Sequence, residues 1–250
     1  MAYEQVETMR PLLDAKRRLT TLEAQGGLPV CRPKSLILCL DGGLFAWASK
    51  RWRAQRVSGF FGRTVLPRSH KGRTALVGNF GVGAPAIAVL AEDWAAHSVE
   101  QIILIGVAAT LSPSIKSAEI ITVHSALGHD AVSPAYAPAT AIHAANPTLL
   151  KQLTQQPALQ KQARALTIST PYRTNQQTIA NALAHNATLL EMETAALFAV
   201  GANIGIKTAA VVVAADAFTH HQWQPIPNWH SIQQSLRIAY QNILTRIQHN

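Results

Sequence analysis

The feature that most constrains the fold is a set of short apolar runs separated by segments of helical character. They are SLILCL (35–40), TALVGNF (74–80), QIILIGV (101–107) and a valine- and alanine-rich run at about 207–215. Runs of this length, rich in Ile, Leu and Val, are typical of strands buried on both faces. Because helical segments such as APAIAVLAEDWAAH (84–97) alternate with them, the sequence predicts an α/β domain with a largely parallel central sheet.

The remaining pattern adds elements but no domain boundary. No internal repeat, low-complexity tract or linker divides the 250 residues, so we predict a single domain, 1–250. A helical extension (1–25) precedes the first strand and a C-terminal helix (229–250) ends the chain. Between them the pattern predicts further strands and helices: strands at 118–126 and 165–170, and helices at about 147–163, 175–186 and 189–204.

Several classes of protein are disfavoured. No apolar run approaches the ~20 residues of a membrane span, and the N-terminus, MAYEQVETMRPLLDAKRR, lacks the apolar core of a secretory signal. Cys31 and Cys39 form no metal-binding or redox spacing, which favours a reduced, cytoplasmic chain without a metal site. We therefore expect a cytoplasmic location and no membrane partner.

The net charge of +9 lies in the first 73 residues, in clusters such as KRR (16–18) and KRWRAQR (50–56). Such clusters attract phosphate, nucleotides or nucleic acid, although a solvated basic surface explains them equally well. No aromatic-rich RNA motif or DNA-reading motif accompanies them. Nucleic acid is therefore not the expected partner.

In a parallel sheet, ligands bind beyond the carboxyl ends of the strands. That rule directs attention to three junctions, 80–83, 106–110 and 214–216. The first lies in the turn GNFGVGAPA, where Phe80 and Gly81 are candidate substrate contacts because small residues let backbone N–H groups approach a ligand or anion. A plain tight turn is the alternative.

Glu193 is the first candidate binding residue. On the predicted helix 189–204 its neighbours three and four positions away are all Leu or Ala, so its carboxylate has apolar surroundings and no cation in helical reach. Two adjacent hydroxyl groups, as on a ribose, would satisfy both oxygens. A partner elsewhere in the fold is the alternative. Glu191 is interpreted as a solvated or capping residue.

Asp216 follows a buried strand, at the edge where a pocket would open. An apolar setting raises a carboxyl pKa and suits the group to donate a proton, while the alternative is an N-cap for a helix starting at Ala217. Arg173, beside Tyr172, could hydrogen-bond the edge of a base or be an ordinary surface arginine. The segment THHQWQPIPNWH (219–230) could be a lid or a structured surface loop.

Together these segments resemble the nucleoside phosphorylase/uridine phosphorylase superfamily. The stretch LEMETAALFAVGANIGIKTAAVVVAAD is similar to the family's E-M-E-x-A-A-L pattern and the strand that follows it. GNFGVGAPA matches the glycine turn, IGVAATLSPSIKSAEIITVHSA matches the next strand-loop-strand, and STPYRTNQQTI looks like the loop that contacts the base. The resemblance runs from about 35 to 218, most of the chain.

The resemblance implies a single-domain, three-layer α/β/α fold with a mixed, largely parallel sheet, and a nucleoside substrate cleaved at its N-glycosidic bond. Glu193 would bind the ribose 2′- and 3′-hydroxyls, Met192 would pack on the sugar, and Asp216 would protonate a purine leaving group. Ala215 stands where the family has serine. Arg173 would suit a pyrimidine carbonyl instead, so the base stays open.

The phosphate side of the site departs from the family. In LDGGLFAW Asp41 is retained, but the arginine position falls at or near Leu44, and the family's second arginine falls at Leu104. Its threonine corresponds to Val107. A phosphate dianion needs charge-assisted donors, which these residues lack. Arg63, Arg68, His70 or Lys71 could substitute, from another loop or from another subunit.

Three functions follow. The first is N-glycosidic cleavage, with inorganic phosphate as co-substrate or with water that Asp41 positions or deprotonates; no other cofactor is expected. The second is a non-catalytic nucleoside-binding protein on the same fold, and the third a nucleic-acid-associated module. By resemblance we also expect a homo-oligomer built from dimers, which a monomeric mass in solution would contradict.

Overall fold

The computed structural model describes residues 11–29, 31–51, 54–137, 141–219 and 222–247. These residues form eleven strands, numbered in chain order: β1 Ser35–Cys39, β2 Gln55–Val57, β3 Arg63–Leu66, β4 Thr74–Gly78, β5 Gln101–Thr110, β6 Ile120–His129, β7 Ile142–Ala144, β8 Gln162–Ile168, β9 Ala187–Glu191, β10 Lys207–Thr219 and β11 Gln222–Gln224.

The same residues form eight α-helices: α1 Ala15–Ala24, α2 Gly42–Arg51, α3 Ala84–His97, α4 Ser133–Tyr136, α5 Pro147–Leu153, α6 Gln176–Ala184, α7 Thr194–Ile204 and α8 Trp229–Ile247. Short 3-10 turns lie at Arg68–His70, Pro157–Leu159 and Pro171–Arg173.

The strands form one mixed sheet. Parallel pairing joins β4, β1, β5 and β10, and also β6, β8 and β9. Antiparallel pairs join β10 to β6 and β5 to β9, so β5, β10, β6, β8 and β9 close into a ring of five strands. The open arm β1-β4-β3-β2 extends from β5. The mixed sheet of the predicted α/β class is confirmed, and its closure into a ring was not predicted.

Helices cover both faces of the sheet and give the three layers. Alternate residues of β1 point to opposite sides: Leu36 and Leu38 pack in one core cluster with residues of α3 and α7, and Ile37 and Cys39 pack in a second with residues of α2 and α8. All four side chains are buried. The strand is therefore apolar throughout because both of its faces are covered.

Two predicted helices were wrong in extent. The helix predicted at 147–163 ends at Leu153, because Pro157 cannot continue a helix, and β8 already begins at Gln162. The helix predicted at 189–204 is a strand up to Glu191 and becomes helical only at Thr194. The apolar run Leu189–Leu190 is short, and its periodicity does not separate a buried strand from a buried helix.

The N-terminal extension is helical only over α1 within the described residues, and residues 1–10 of the predicted helix lie outside them. An ion pair joins α1 to the domain: Arg18 Nη1 lies 2.6 Å from Asp93 Oδ1 on α3, and the Arg18 guanidinium also lies over the Phe60 ring. Within the described part of the chain, no helix is long and apolar enough to cross a membrane.

Candidate active site

The candidate site lies where β5 changes its neighbour. β1 pairs with β5 up to Ile105, and β9 pairs with it from Ala109, so that edge of β5 has no strand partner between these two residues. Gly106 lies at the change, and a Cβ there would meet Leu40 Cδ1 at 2.9 Å. Of the ten residues of β5, all described, Val107 is the one that is not buried. The gap therefore opens the sheet at its centre.

Three chain segments meet at this gap. β1 and β4 end here in the same direction, and β9 arrives from the opposite direction because it is antiparallel to β5. The residues that follow these strands, beginning at Leu40, Asn79 and Met192, therefore lie close to one another. This is the edge at which the sequence predicted a ligand site.

Glu193 is the buried carboxylate of the gap. It is the N-cap residue of α7 and not, as predicted, a residue within a helix. Its Oε1 accepts a hydrogen bond from the Gly83 N–H at 2.6 Å, and its Oε2 one from the Met192 N–H at 3.2 Å. Gly83, at φ +96°, is the N-cap of α3. The anion that the glycine turn binds is thus a carboxylate of the same chain, beside the positive end of a helix.

The electrostatics of Glu193 are set mainly by burial. Its side chain is 5% exposed, and burial, with the neighbouring Glu191 carboxylate as the second cause, raises the pKa of Glu193 to about 7. None of the ion pairs among the described residues involves it. A carboxylate held in this way retains the capacity to accept further hydrogen bonds from hydroxyl groups.

Glu191 organises the turn that carries Glu193. It is buried, so the interpretation as a solvated residue was wrong, whereas capping is confirmed: Oε2 accepts the N–H groups of Glu193 (2.8 Å) and Thr194 (2.7 Å) and the Thr194 hydroxyl (2.7 Å). Oε1 accepts the hydroxyl of Thr167 on β8. Burial raises the pKa of Glu191, and these donors counteract the shift.

Replacing Glu191 with glutamine is expected to lower the free energy of unfolding by about 1–3 kcal/mol, because an amide NH₂ cannot accept the Thr167 hydroxyl proton while the carbonyl serves the other donors. Denaturant unfolding measures the change. Glu100→Gln is the control, since Glu100 forms only an exposed pair with Lys34, and it should leave the midpoint unchanged. Equal midpoints for both variants would contradict this role of Glu191.

Asp216 lies inside β10, which continues to Thr219. The alternative that it caps a helix starting at Ala217 was therefore wrong. A register irregularity between Ala214 and Ala217 places it in a bulge of the strand. Its Oδ2 accepts a hydrogen bond from Trp223 Nε1 at 2.7 Å. β11, in the segment interpreted as a lid or loop, pairs with β10 and supplies this indole.

The structure places Glu193 and Asp216 on opposite sides of β5. β9 and β10 flank that strand, with Leu190 opposite Ala109 on one side and Ala217 opposite Thr110 on the other. Two strand spacings amount to roughly 10 Å. Each carboxylate has its own hydrogen-bond partners, and no direct bond between the two occurs among the described residues.

Asp41 lies between β1 and α2, immediately before the first residue of the helix. Its Oδ1 accepts hydrogen bonds from the Leu44 N–H (2.5 Å) and from Gln233 Nε2 on α8 (3.0 Å), so the side chain caps α2. Leu44 and Leu104, which the resemblance matches to the family's arginine positions, are 0% and 1% exposed and pack in the core. Neither position presents a polar group to the gap.

The other predicted contacts are placed as follows. Met192 is half-buried beside Glu193. Phe80 is buried in the core, whereas Gly81 is exposed at φ +89°. Arg173 is exposed in a 3-10 turn. Arg63 is exposed and pairs with Gly78, immediately before the glycine turn.

Sequence reasoning missed two residues that hydrogen-bond the buried carboxylates Glu193 and Glu191. Gly83 was not singled out within the turn, although a glycine before Ala-Pro at a helix start is a signal for a close backbone approach. Thr167 gave no signal, because its contact with Glu191 spans 24 positions of the chain. Among the described residues, no group of three or more His, Cys, Asp or Glu side chains is placed to hold a metal ion.

Two cavities lie beside β10, of about 600 and 310 Å³. The larger is lined by residues 174–176 of the predicted base loop and by Phe218 and Trp223. The smaller lies on the other side of the hairpin and includes Lys116 and Ala217. Neither is lined by Glu193 or Asp216, although Trp223 joins the larger cavity to Asp216 directly.

The fold is a mixed sheet between helical layers, with a buried carboxylate beside the unpaired edge of its central strand. This is the fold of the nucleoside phosphorylases. A family profile described as the phosphorylase superfamily matches residues 37–246, and the chain belongs to this superfamily. No curated protein sequence matches the chain.

Solved structures agree with the fold. Uridine phosphorylase from Vibrio fischeri ES114 is similar with a TM-score of 0.75 and 17% identity, over 88% of this chain and 93% of that chain. Purine nucleoside phosphorylase from Toxoplasma gondii, in complex with immucillin-H, is similar with a TM-score of 0.74 and 12% identity, over 87% and 92%.

Proposed function

We propose that the protein is an enzyme that cleaves the N-glycosidic bond of a nucleoside with water as the acceptor. One observation carries the choice of water: Leu44 and Leu104, which by resemblance stand at or near the family's two arginine positions, are buried apolar side chains. A phosphate dianion leaves its charge unpaired at such positions, which is costly in a buried site. A neutral water molecule has no such requirement.

Three carboxyl groups carry the proposed reaction, and the proton given to the base is matched by the proton taken from water. Glu193, ionised, accepts the ribose 2′- and 3′-hydroxyl protons in hydrogen bonds and holds the sugar while positive charge develops at C1′. Asp216 has the role of general acid: its carboxyl group donates a proton to the base as the C1′–N bond breaks and the base takes the bonding electron pair. Asp41 accepts a proton from the water whose oxygen bonds to C1′. The products are free base and free ribose.

One observation favours phosphorolysis as a second candidate. Arg63 is exposed and lies beside the end of β4, directly before the glycine turn. It provides a cation at the edge of the sheet where an anion would enter. In that case sugar 1-phosphate replaces free sugar among the products.

The test is a panel of purine and pyrimidine nucleosides incubated with and without inorganic phosphate, with free base, ribose and ribose 1-phosphate quantified. We expect base and ribose to appear at the same rate in both conditions. A rate that depends on phosphate and on Arg63 (lost in Arg63→Gln, retained in Lys151→Gln, which changes an exposed cation of α5) establishes phosphorolysis instead. Saturable nucleoside binding without any product identifies a binding protein.

A further inference from the structure

The cavity of about 600 Å³ lies between α6, the β10–β11 hairpin and the turn that follows β5. Its volume is in the range of sites for drug-sized ligands and exceeds what one planar base fills. Its walls are formed mainly by apolar side chains, among them Leu111, Ile179, Leu183, Phe218 and Trp223, and none of the described residues that line it is charged. A site of this kind favours an uncharged, apolar occupant.

One feature of the wall favours an occupant. Trp223 and Leu183 are 57% and 42% exposed. Covering such large apolar side chains with a ligand lowers the free energy, because it removes apolar surface from water.

The position of the cavity relates it to the leaving group. Trp223 donates its indole N–H to Asp216 and pairs across the hairpin with Phe218, two residues beyond Asp216. The cavity therefore begins on the side of the proposed acid that faces the base, away from Glu193 and the sugar. We propose that it binds a bulky, uncharged apolar group carried by the base, so that the preferred substrate is a nucleoside with an aryl or alkyl substituent on its base.

This inference rests on the proposed function for its placement of the base, but free bases test it without turnover. Calorimetry would compare adenine, 6-benzylaminopurine and its 4-carboxybenzyl analogue. We expect the benzyl compound to bind at least about tenfold more tightly than adenine, and the carboxylate to abolish the gain. Equal affinities for all three compounds would overturn the proposal, while nucleoside cleavage tests the reaction separately.

Variants on α6 locate the effect. Ala180 is exposed and lines the cavity, whereas Ala184 is exposed on the same helix and does not. Ala180→Trp is expected to remove the benzyl preference by filling the space, and Ala184→Trp to retain it. Leu183→Asp, a second exposed lining position, should remove it by adding charge. If the preference survives both Ala180→Trp and Leu183→Asp, the group binds elsewhere and the proposal is wrong.

Discussion

Replacing Glu193 with glutamine is expected to reduce activity and, at the same time, to stabilise the protein above pH 7. The carboxylate is buried next to Glu191, and its pKa of about 7 means that ionisation costs free energy in the folded state. A neutral amide of the same shape avoids that cost and still offers an oxygen to the Gly83 N–H, while its NH₂ gives up only the longer bond of 3.2 Å from the Met192 N–H. We expect the free energy of unfolding at pH 8 to rise by about 1–3 kcal/mol.

The sign of the pH dependence follows from the raised pKa. Because the folded-state pKa exceeds the ordinary value of 4.5, the folded protein binds more protons than the unfolded chain between about pH 4.5 and pH 7. The contribution of Glu193 to stability is therefore full below pH 4.5 and is lost as the pH rises through 7. Chemical unfolding across pH 4–8 should show this loss in the wild type and a smaller one in Glu193→Gln.

The activity of Glu193→Gln should fall although its stability rises. Losing a charged acceptor for two sugar hydroxyls is expected to lower kcat/KM about 10- to 100-fold, and in the wild type kcat/KM should fall as Glu193 is protonated below pH 7. Glu23→Gln on the exposed face of α1 is the matched control and should change neither quantity. A Glu193→Gln protein that is less stable at pH 8 would show that the carboxylate is structural.

Replacing Asp216 with asparagine is expected to lower the rate of base release by about 10²- to 10⁴-fold, the usual contribution of a general acid. The asparagine carbonyl can still accept the Trp223 indole N–H, so the hairpin keeps its bond and the fold its stability. The measurement is single-turnover cleavage of a nucleoside. Nucleosides with the poorest leaving groups should lose the most, because they depend most on protonation.

The leaving group supplies the control for this prediction. With p-nitrophenyl riboside, whose leaving group departs without a proton, Asp216→Asn should retain most of the activity. Trp223→Phe removes the donor to Asp216 but keeps the carboxyl group, and we expect less than a tenfold effect on nucleosides. An equal loss on both substrates would mean that Asp216 positions the substrate and does not donate a proton.

The fold was predicted where the residues carry their own signal. β1, β4 and the first half of β5 were found from apolar runs, because strands covered on both faces need no polar residue. α2 and the pair β2 and β3 were missed, because GGLFAWASKR and the short polar strands have weak periodicity. Closure of the five-stranded ring depends on contacts such as Ala109 with Leu190, which no local pattern encodes.

The candidate site was predicted in part. Glu193 and Asp216 stood out because carboxylates are costly beside apolar runs, and that argument holds whether the segment is helix or strand. The partners of these groups, Gly83 and Trp223, were not predicted, since each bond depends on how distant segments pack. Whether both carboxylates act on one bound nucleoside is a proposal that the variants above test.

β5 lies between two groups of residues with different proposed roles, and this has a consequence for how the activity of such a protein can evolve. The groups that would receive an incoming acceptor follow β1 and β4 along one edge of β5, and the groups that would release the base belong to β10 along the other. In the proposed mechanism, substitutions on the first edge would alter which molecule attacks the sugar without repacking the second edge. The nature of the acceptor and the choice of leaving group are thereby separable properties, joined only through one strand.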